Sequence, residues 1–154
     1  MRRSILSSLA TVLSIAAGAA HGFCVENAVP DRGVHSALAL PRPQPPQRLF
    51  EDALAPGRES CCNPRNFECN PTRVPDAAPL PFEARVDAVP PLACGVPSEA
   101  GRPRIVEVPA RGFLRFEPNP QFDPRRAADP ANPPYLARAL GADRGLLRAY
   151  PCSP

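Results

Sequence analysis

Residues 79–88 alternate strictly. Leu80, Phe82, Ala84 and Val86 fall on one side of an extended chain, and Glu83, Arg85 and Asp87 on the other. This is the two-residue period of a half-buried strand. Phe23 to Val29 and Val34 to Leu40 show the same habit, with Val34, Ser36, Leu38 and Leu40 sharing a face. The cluster Pro30-Asp31-Arg32-Gly33 separates them as a turn. Leu49 to Ala55 and Arg58 to Cys62 flank Pro56-Gly57, the pair favoured at the centre of a type II turn, and predict a hairpin. Leu92 to Val96 repeats the alternation. Arg104 to Val108 and Phe113 to Glu117 predict a last hairpin across Pro109-Ala110-Arg111-Gly112, with Leu114 and Phe116 facing in.

Prolines divide these segments. Pro41 to Pro46 cannot pair in a sheet and predicts an extended connector. From Pro118 to Pro134 the chain is again too rich in proline for a ladder. One short helix is expected after it, with Asn132 as N-cap, Leu136 and Leu140 on one face and Gly141 as the stop. Leu146, Leu147 and Tyr150 form a small apolar group before Cys152. Some seven or eight short strands, with turn signals roughly every 8–12 residues, predict an all-β fold. The form expected is a small antiparallel β-sandwich, Ig-like or a partly open barrel, over residues 23–117. Residues 118–154 would be a Pro-rich tail wrapped on it.

Residues 1–22 have the layout of a secretory signal: Arg2-Arg3, an apolar run from Ile5 to Ala17, then small residues. Cleavage is expected before Phe23, with a cut before His21 as the neighbouring alternative. Phe23 directly before Cys24 argues against a lipoprotein. No later stretch approaches the ~18 apolar residues of a membrane-spanning helix. The segment carries Arg2 and Arg3 and no acid, so its removal lowers the net charge of +3 by 2, to +1. That balance excludes a strong field for nucleic acid or anionic lipid. All 18 basic residues are arginines. This uniformity reads first as codon bias, so arginine clusters carry little weight.

An export signal turns the six cysteines, Cys24, Cys61, Cys62, Cys69, Cys94 and Cys152, toward disulfides. Six cysteines allow 15 full pairings. Neighbouring Cα atoms lie about 3.8 Å apart, below the usual cystine span, so Cys61 and Cys62 are expected to find different partners. Cys62–Cys69 would close a small loop and a pair such as Cys24–Cys94 a large one.

Other chemistry is thinly supported. His35 is the one imidazole expected in the mature chain, and the only methionine is Met1. That excludes a blue-copper site, and C-x6-C is not a zinc spacing. No nucleophile-elbow, zincin or C-x-x-C motif occurs, so no catalytic, cofactor-binding or metal residue is assigned. A carboxylate-dependent hydrolase needs only two acids. Its candidates would be Glu51, Asp52, Glu59, Glu68, Glu83 and Asp87. Arg65, Asn66 and Phe67, inside the Cys61–Cys69 loop, are the candidate contacts to a protein partner, and the arginine-proline segments could also dock one.

Cys24-Val25-Glu26-Asn27, Phe50, Leu54-Ala55-Pro56-Gly57, Cys61-Cys62, Cys69-Asn70-Pro71 and Cys94 together resemble a loose group of small exported bacterial cysteine-rich proteins. The likeness spans residues 23–116. It implies export and a β-rich fold and nothing catalytic. The expectation is thus an exported, non-catalytic β module of the envelope or extracellular space. The alternatives are a small secreted hydrolase and an inhibitor or effector presenting the Cys61–Cys69 loop.

Overall fold

The computed structural model describes residues 22–40, 48–76, 78–96 and 103–154. Ten strands run β1 (Cys24–Asn27), β2 (Val34–Leu38), β3 (Glu51–Leu54), β4 (Glu59–Cys61), β5 (Pro79–Val86), β6 (Leu92–Cys94), β7 (Val106–Pro109), β8 (Phe113–Pro118), β9 (Tyr135–Leu140) and β10 (Leu146–Ser153). All belong to one hydrogen-bonded sheet, in the order β3-β2-β5-β6-β10-β9-β8-β1-β4, with β7 also on β5. The fold is therefore all-β and disulfide-stapled. Its single sheet curls until its two edges, β3 and β4, flank a common seam. A partly open barrel describes it better than the two separate sheets of a sandwich. The sheet is mixed, because β1 and β8 run parallel while the other pairs are antiparallel.

The alternation read from the sequence sets the inward face. Val34, Ser36 and Leu38 on β2, Leu80, Phe82, Ala84 and Val86 on β5, and Leu114 and Phe116 on β8 are all buried. Phe23 packs edge-on against Phe50 and Phe82, with both ring centroids 4.8 Å away, an arrangement that suits the ring quadrupoles. β6 and β7 act as two halves of one strand, since they pair with successive parts of β5. Just after β6 and just before β7, Val96 and Ile105 form an isolated antiparallel bridge. Gly95 makes this close approach possible. Its φ is +130°, and a Cβ there would meet the Ile105 carbonyl oxygen at 2.7 Å.

The strands sit close to where the pattern places them, but several pairings differ. The Pro56-Gly57 turn forms, with Gly57 at φ +71° and Arg58 N–H donating to the Ala55 carbonyl at 3.2 Å. Its two arms nevertheless do not form a ladder. β3 pairs with β2, and β4 pairs with β1. The same holds at Pro109–Gly112, where Gly112 N–H reaches the Pro109 carbonyl at 2.8 Å while β7 joins β5 and β8 joins β1 and β9. Type I and II turns twist against the strands they connect and splay them.

The expected helix is a strand. Residues 135–140 form β9, and β10 follows, so the last part of the presumed tail occupies the middle of the sheet. The leucine spacing that suits a helical turn also places Leu136 and Leu140 on one face of a strand. Asn132 caps no helix. It is buried and holds the loop before β9, its Nδ2 donating to the carbonyls of Asp123 and Arg126 and its Oδ1 accepting from Asp123 N–H. Pro118 itself pairs with Tyr135 as the last residue of β8, and beyond it the proline-rich stretch stays out of the ladder, as a loop with a 3-10 turn at Pro124–Arg126. Leu146 and Leu147 are exposed at 54% and 61%, so Tyr150 alone of that apolar group enters the core. The expected signal segment, apart from Gly22, and the expected Pro41–Pro46 connector lie outside the described residues.

Candidate functional site

The six cysteines form three disulfides, Cys24–Cys61, Cys62–Cys69 and Cys94–Cys152. The adjacent pair is split between two partners, as the strain of a vicinal bridge requires. Cys24 and Cys61 oppose each other across β1 and β4, with Cα atoms 4.0 Å apart. Cys94 and Cys152 do the same across β6 and β10 at 3.9 Å. Flanking residues carry the ladder bonds, with Cys62 N–H on the Phe23 carbonyl at 2.9 Å and Gly95 N–H on the Pro151 carbonyl at 3.1 Å. Both cystines therefore occupy non-hydrogen-bonded pairs, where side chains approach most closely.

Cys61 and Cys62 stand at the margin of the seam. There a cleft of about 350 Å³ is lined by residues 48–52, by 60–63 and by Asn66, Glu68 and Cys69. The Pro56-Gly57 turn joins the two strands that border it, β3 and β4. The loop after Cys62 forms part of its wall, its Glu68 carbonyl accepting from Phe50 N–H at 2.8 Å. Three carboxylates line the cleft, Glu51, Asp52 and Glu68, against one guanidinium, Arg48. The His35 imidazole, on the neighbouring β2, meets Glu51, with Nε2 3.0 Å from Oε1. Asp52 turns back to accept from Ala53 N–H at 2.8 Å.

No protein-family model, characterised protein or solved structure matches this chain.

Of the acids singled out from the sequence, Glu51, Asp52 and Glu68 come together in the cleft. Glu59 lies on β4 beside it, with Oε1 in contact with Cys61 Sγ at 2.9 Å. Glu83 and Asp87 are exposed elsewhere along β5 and its end. Two clusters combine sulfur and carboxylate: Cys24, Cys61 and Glu59, and Cys62, Cys69 and Glu68. In each, the two sulfurs are bonded to one another, which leaves a single carboxylate as a ligand.

Arg65, Asn66 and Phe67 lie on the loop that the Cys62–Cys69 bridge closes. Phe67 is 41% exposed. Together with Pro64, Asn70 and Arg73, Arg65 and Phe67 surround a second hollow of about 350 Å³. This face has two arginines and an aromatic ring, the complement in sign of the acidic seam beside it. Asn70 stiffens its far side, bonding both the N–H and the carbonyl of Val74 at 3.0 Å.

Asn27 is the residue whose importance sequence reasoning missed. It is buried at the end of β1. Nδ2 donates to the carbonyls of Arg32 and Leu54, and Oδ1 accepts from Val29 N–H, all at 2.9 Å. Its own carbonyl accepts from Gly57 N–H at 2.8 Å. It thereby ties the first turn, the end of β3 and the Pro-Gly turn to β1. An asparagine that shares a strand face with Val25 was the available signal, since a buried amide needs several partners.

Proposed function

We propose that the chain is an exported, non-catalytic binding or structural module of the cell envelope or extracellular space, and that its partner is another protein. The observation that carries this reading is the division of Cys61 and Cys62 between two separate cystines. Between them they anchor the exposed Arg65-Asn66-Phe67 loop rigidly to the sheet, and a rigid loop loses little entropy when it binds. Three cystines in a chain this short favour an oxidising compartment.

Gly22 bears on the processing site. Its N–H donates to the Cys62 carbonyl at 2.8 Å, and Phe23 is fully buried. Cleavage before Phe23 would leave a charged amino group at a buried residue, an expensive burial. A cut before His21 keeps Gly22 and is the preferred site. N-terminal sequencing of the exported protein should read His-Gly-Phe, and a Phe start would overturn this assignment.

Cross-linking in an envelope fraction tests the function. The wild-type protein should capture a discrete partner, and a variant with Arg65, Asn66 and Phe67 all changed to Ala should lose at least 10-fold of that yield. An unchanged yield would remove the loop from the interface. The gathering of Glu51, Asp52 and Glu68 in one cleft favours a second reading, a carboxylate hydrolase. It predicts glycoside hydrolysis that E51Q, D52N or E68Q abolishes. Equal turnover by wild type and the triple variant would eliminate it.

A further inference from the structure

The seam between β3 and β4 has a property that neither the loop nor the carboxylates explain: it is bordered by two strand edges with free backbone groups. Flanking β4, Arg58 and Cys62 use their backbone toward β1, in the bonds Asn27 N–H to Arg58 carbonyl and Cys62 N–H to Phe23 carbonyl, both 2.9 Å. By alternation Glu59 and Cys61 turn their N–H and carbonyl groups outward, into the seam. On β3, Leu38 N–H donates to the Phe50 carbonyl at 2.9 Å, so Glu51 and Ala53 turn outward in the same way. Ala53 N–H is taken by the Asp52 carboxylate. Among the described residues the outward groups of Glu51, Glu59 and Cys61 have no backbone partner.

An unpaired edge of this kind templates another strand. Among the described residues, the arms of the Pro-Gly turn, β3 and β4, end the sheet path, each paired along one edge and not with the other. The side chains around these edges select the occupant by charge. Glu51, Asp52 and Glu68 line the cleft and Glu59 lies beside it, against Arg48. Both surfaces of an incoming strand would meet acid. Glu51 and Glu59 alternate with the inward side chains and stand on the outer lip, while Asp52 shares the inward face with Ser36, its register partner on β2. Ser36 is 1% exposed and its Oγ has no hydrogen-bond partner.

We propose that this seam receives an extended, lysine- or arginine-bearing segment of another protein, added as a short strand on the outward edge of β4. Backbone hydrogen bonds to Glu59 and Cys61 would hold it, and the carboxylates would read its cations. The proposal rests on the binding-module reading and identifies the chemistry of the partner. β4 is three residues long, which limits the paired segment to about three or four residues, at the usual rise of about 3.3 Å each. Affinity should therefore be modest and strongly dependent on salt.

The test uses the full mature, oxidised protein and an acetylated, amidated ten-residue peptide of alternating lysine and valine. Two controls share its length. In one glutamate replaces lysine, and in the other alternate amides are N-methylated. The lysine peptide should bind, slow amide exchange at Glu59 and Cys61 at least 10-fold, and weaken about 10-fold between 20 and 300 mM salt. Both control peptides should fail to bind. The E51R/E68R double variant should lose at least 10-fold in affinity. E59P should also abolish binding while keeping the β1–β4 ladder, because the N–H it removes points outward. If E59P does not fold, the N-methylated peptide reports the same bond without any change to the protein. Equal binding of the N-methylated peptide, or exchange slowed only around Arg65 and Phe67, would overturn strand addition while leaving the binding module intact. No binding of the lysine peptide would overturn the seam proposal itself. Failure of the envelope cross-link would instead count against the binding module.

Discussion

Asn27 is a polar residue at the buried end of a strand, and both polar atoms of its side chain are occupied. Asn27→Ala would strand two carbonyls and an N–H in the interior. Each unsatisfied group costs about 1–3 kcal/mol, so a loss of roughly 2–4 kcal/mol is expected in urea unfolding, with allowance for partial relaxation. A loss below about 0.5 kcal/mol would mean water replaces the amide. Asp129 offers a test by pH. Its carboxylate accepts from the Arg126 guanidinium first and from Ala131 N–H second, and these hold it below the ordinary carboxylate value. A carboxyl lowered on folding stabilises the native state above its unfolded pKa, near 4, and that contribution is lost as pH falls through the folded value. In an NMR titration, Arg126→Gln should move the Asp129 midpoint upward toward the ordinary value, and an unmoved midpoint would assign the shift to the backbone bond. Residue chemistry was the scale most legible in advance. The separate partners of Cys61 and Cys62 followed from the reach of a disulfide, and the inward faces of β2, β5 and β8 from alternation. Asn27 and Asn132 were not legible, because the partners of a buried amide are distant carbonyls that only the fold brings near.

At the scale of elements, strand positions and turn positions were readable, while strand partners and the identity of β9 were not. Leu136 and Leu140 show why. A spacing of four residues satisfies both a helical turn and the second repeat of a strand, and Tyr135–Leu140 becomes a strand because β8 and β10 supply ladders on both sides. Pro56-Gly57 is the sharper case. The dipeptide specifies the turn correctly, but the turn's own twist parts its arms and opens the seam. Pro56→Asn creates Asn-Gly, which favours the type I′ geometry that matches strand twist. In this variant β3 and β4 should close on one another, with slower amide exchange at Glu51 and Glu59 and loss of lysine-peptide binding. Unchanged exchange would show that the loop after Cys62 holds the edges apart.

Across the whole molecule, two of the cystines cross neighbouring strands of the sheet and the third closes a loop. Cys94–Cys152 spans 58 positions, Cys24–Cys61 spans 37 and Cys62–Cys69 only 7. By loop-closure entropy their removal as paired alanines should cost about 4.2, 3.9 and 2.5 kcal/mol respectively. Calorimetry of the three double variants should reproduce that order, and a larger loss at Cys62–Cys69 would show that native-state contacts of the loop dominate. The last 20 residues fold as central strands for the same long-range reason, since Cys152 and Tyr150 complete the core only when β10 lies between β6 and β9. The described residues contain no helix long and apolar enough to cross a membrane. Alternation, turn dipeptides and the reach of a disulfide act over a few residues, so the amino-acid sequence by itself determined an all-β chain, its inward faces and the splitting of the cysteine pair. Partner choice among strands depends on which distant edges can be buried together. Only the tertiary structure could decide that β9 and β10 fill the sheet and that β3 and β4 stay apart, leaving an acidic seam with free backbone groups on both sides.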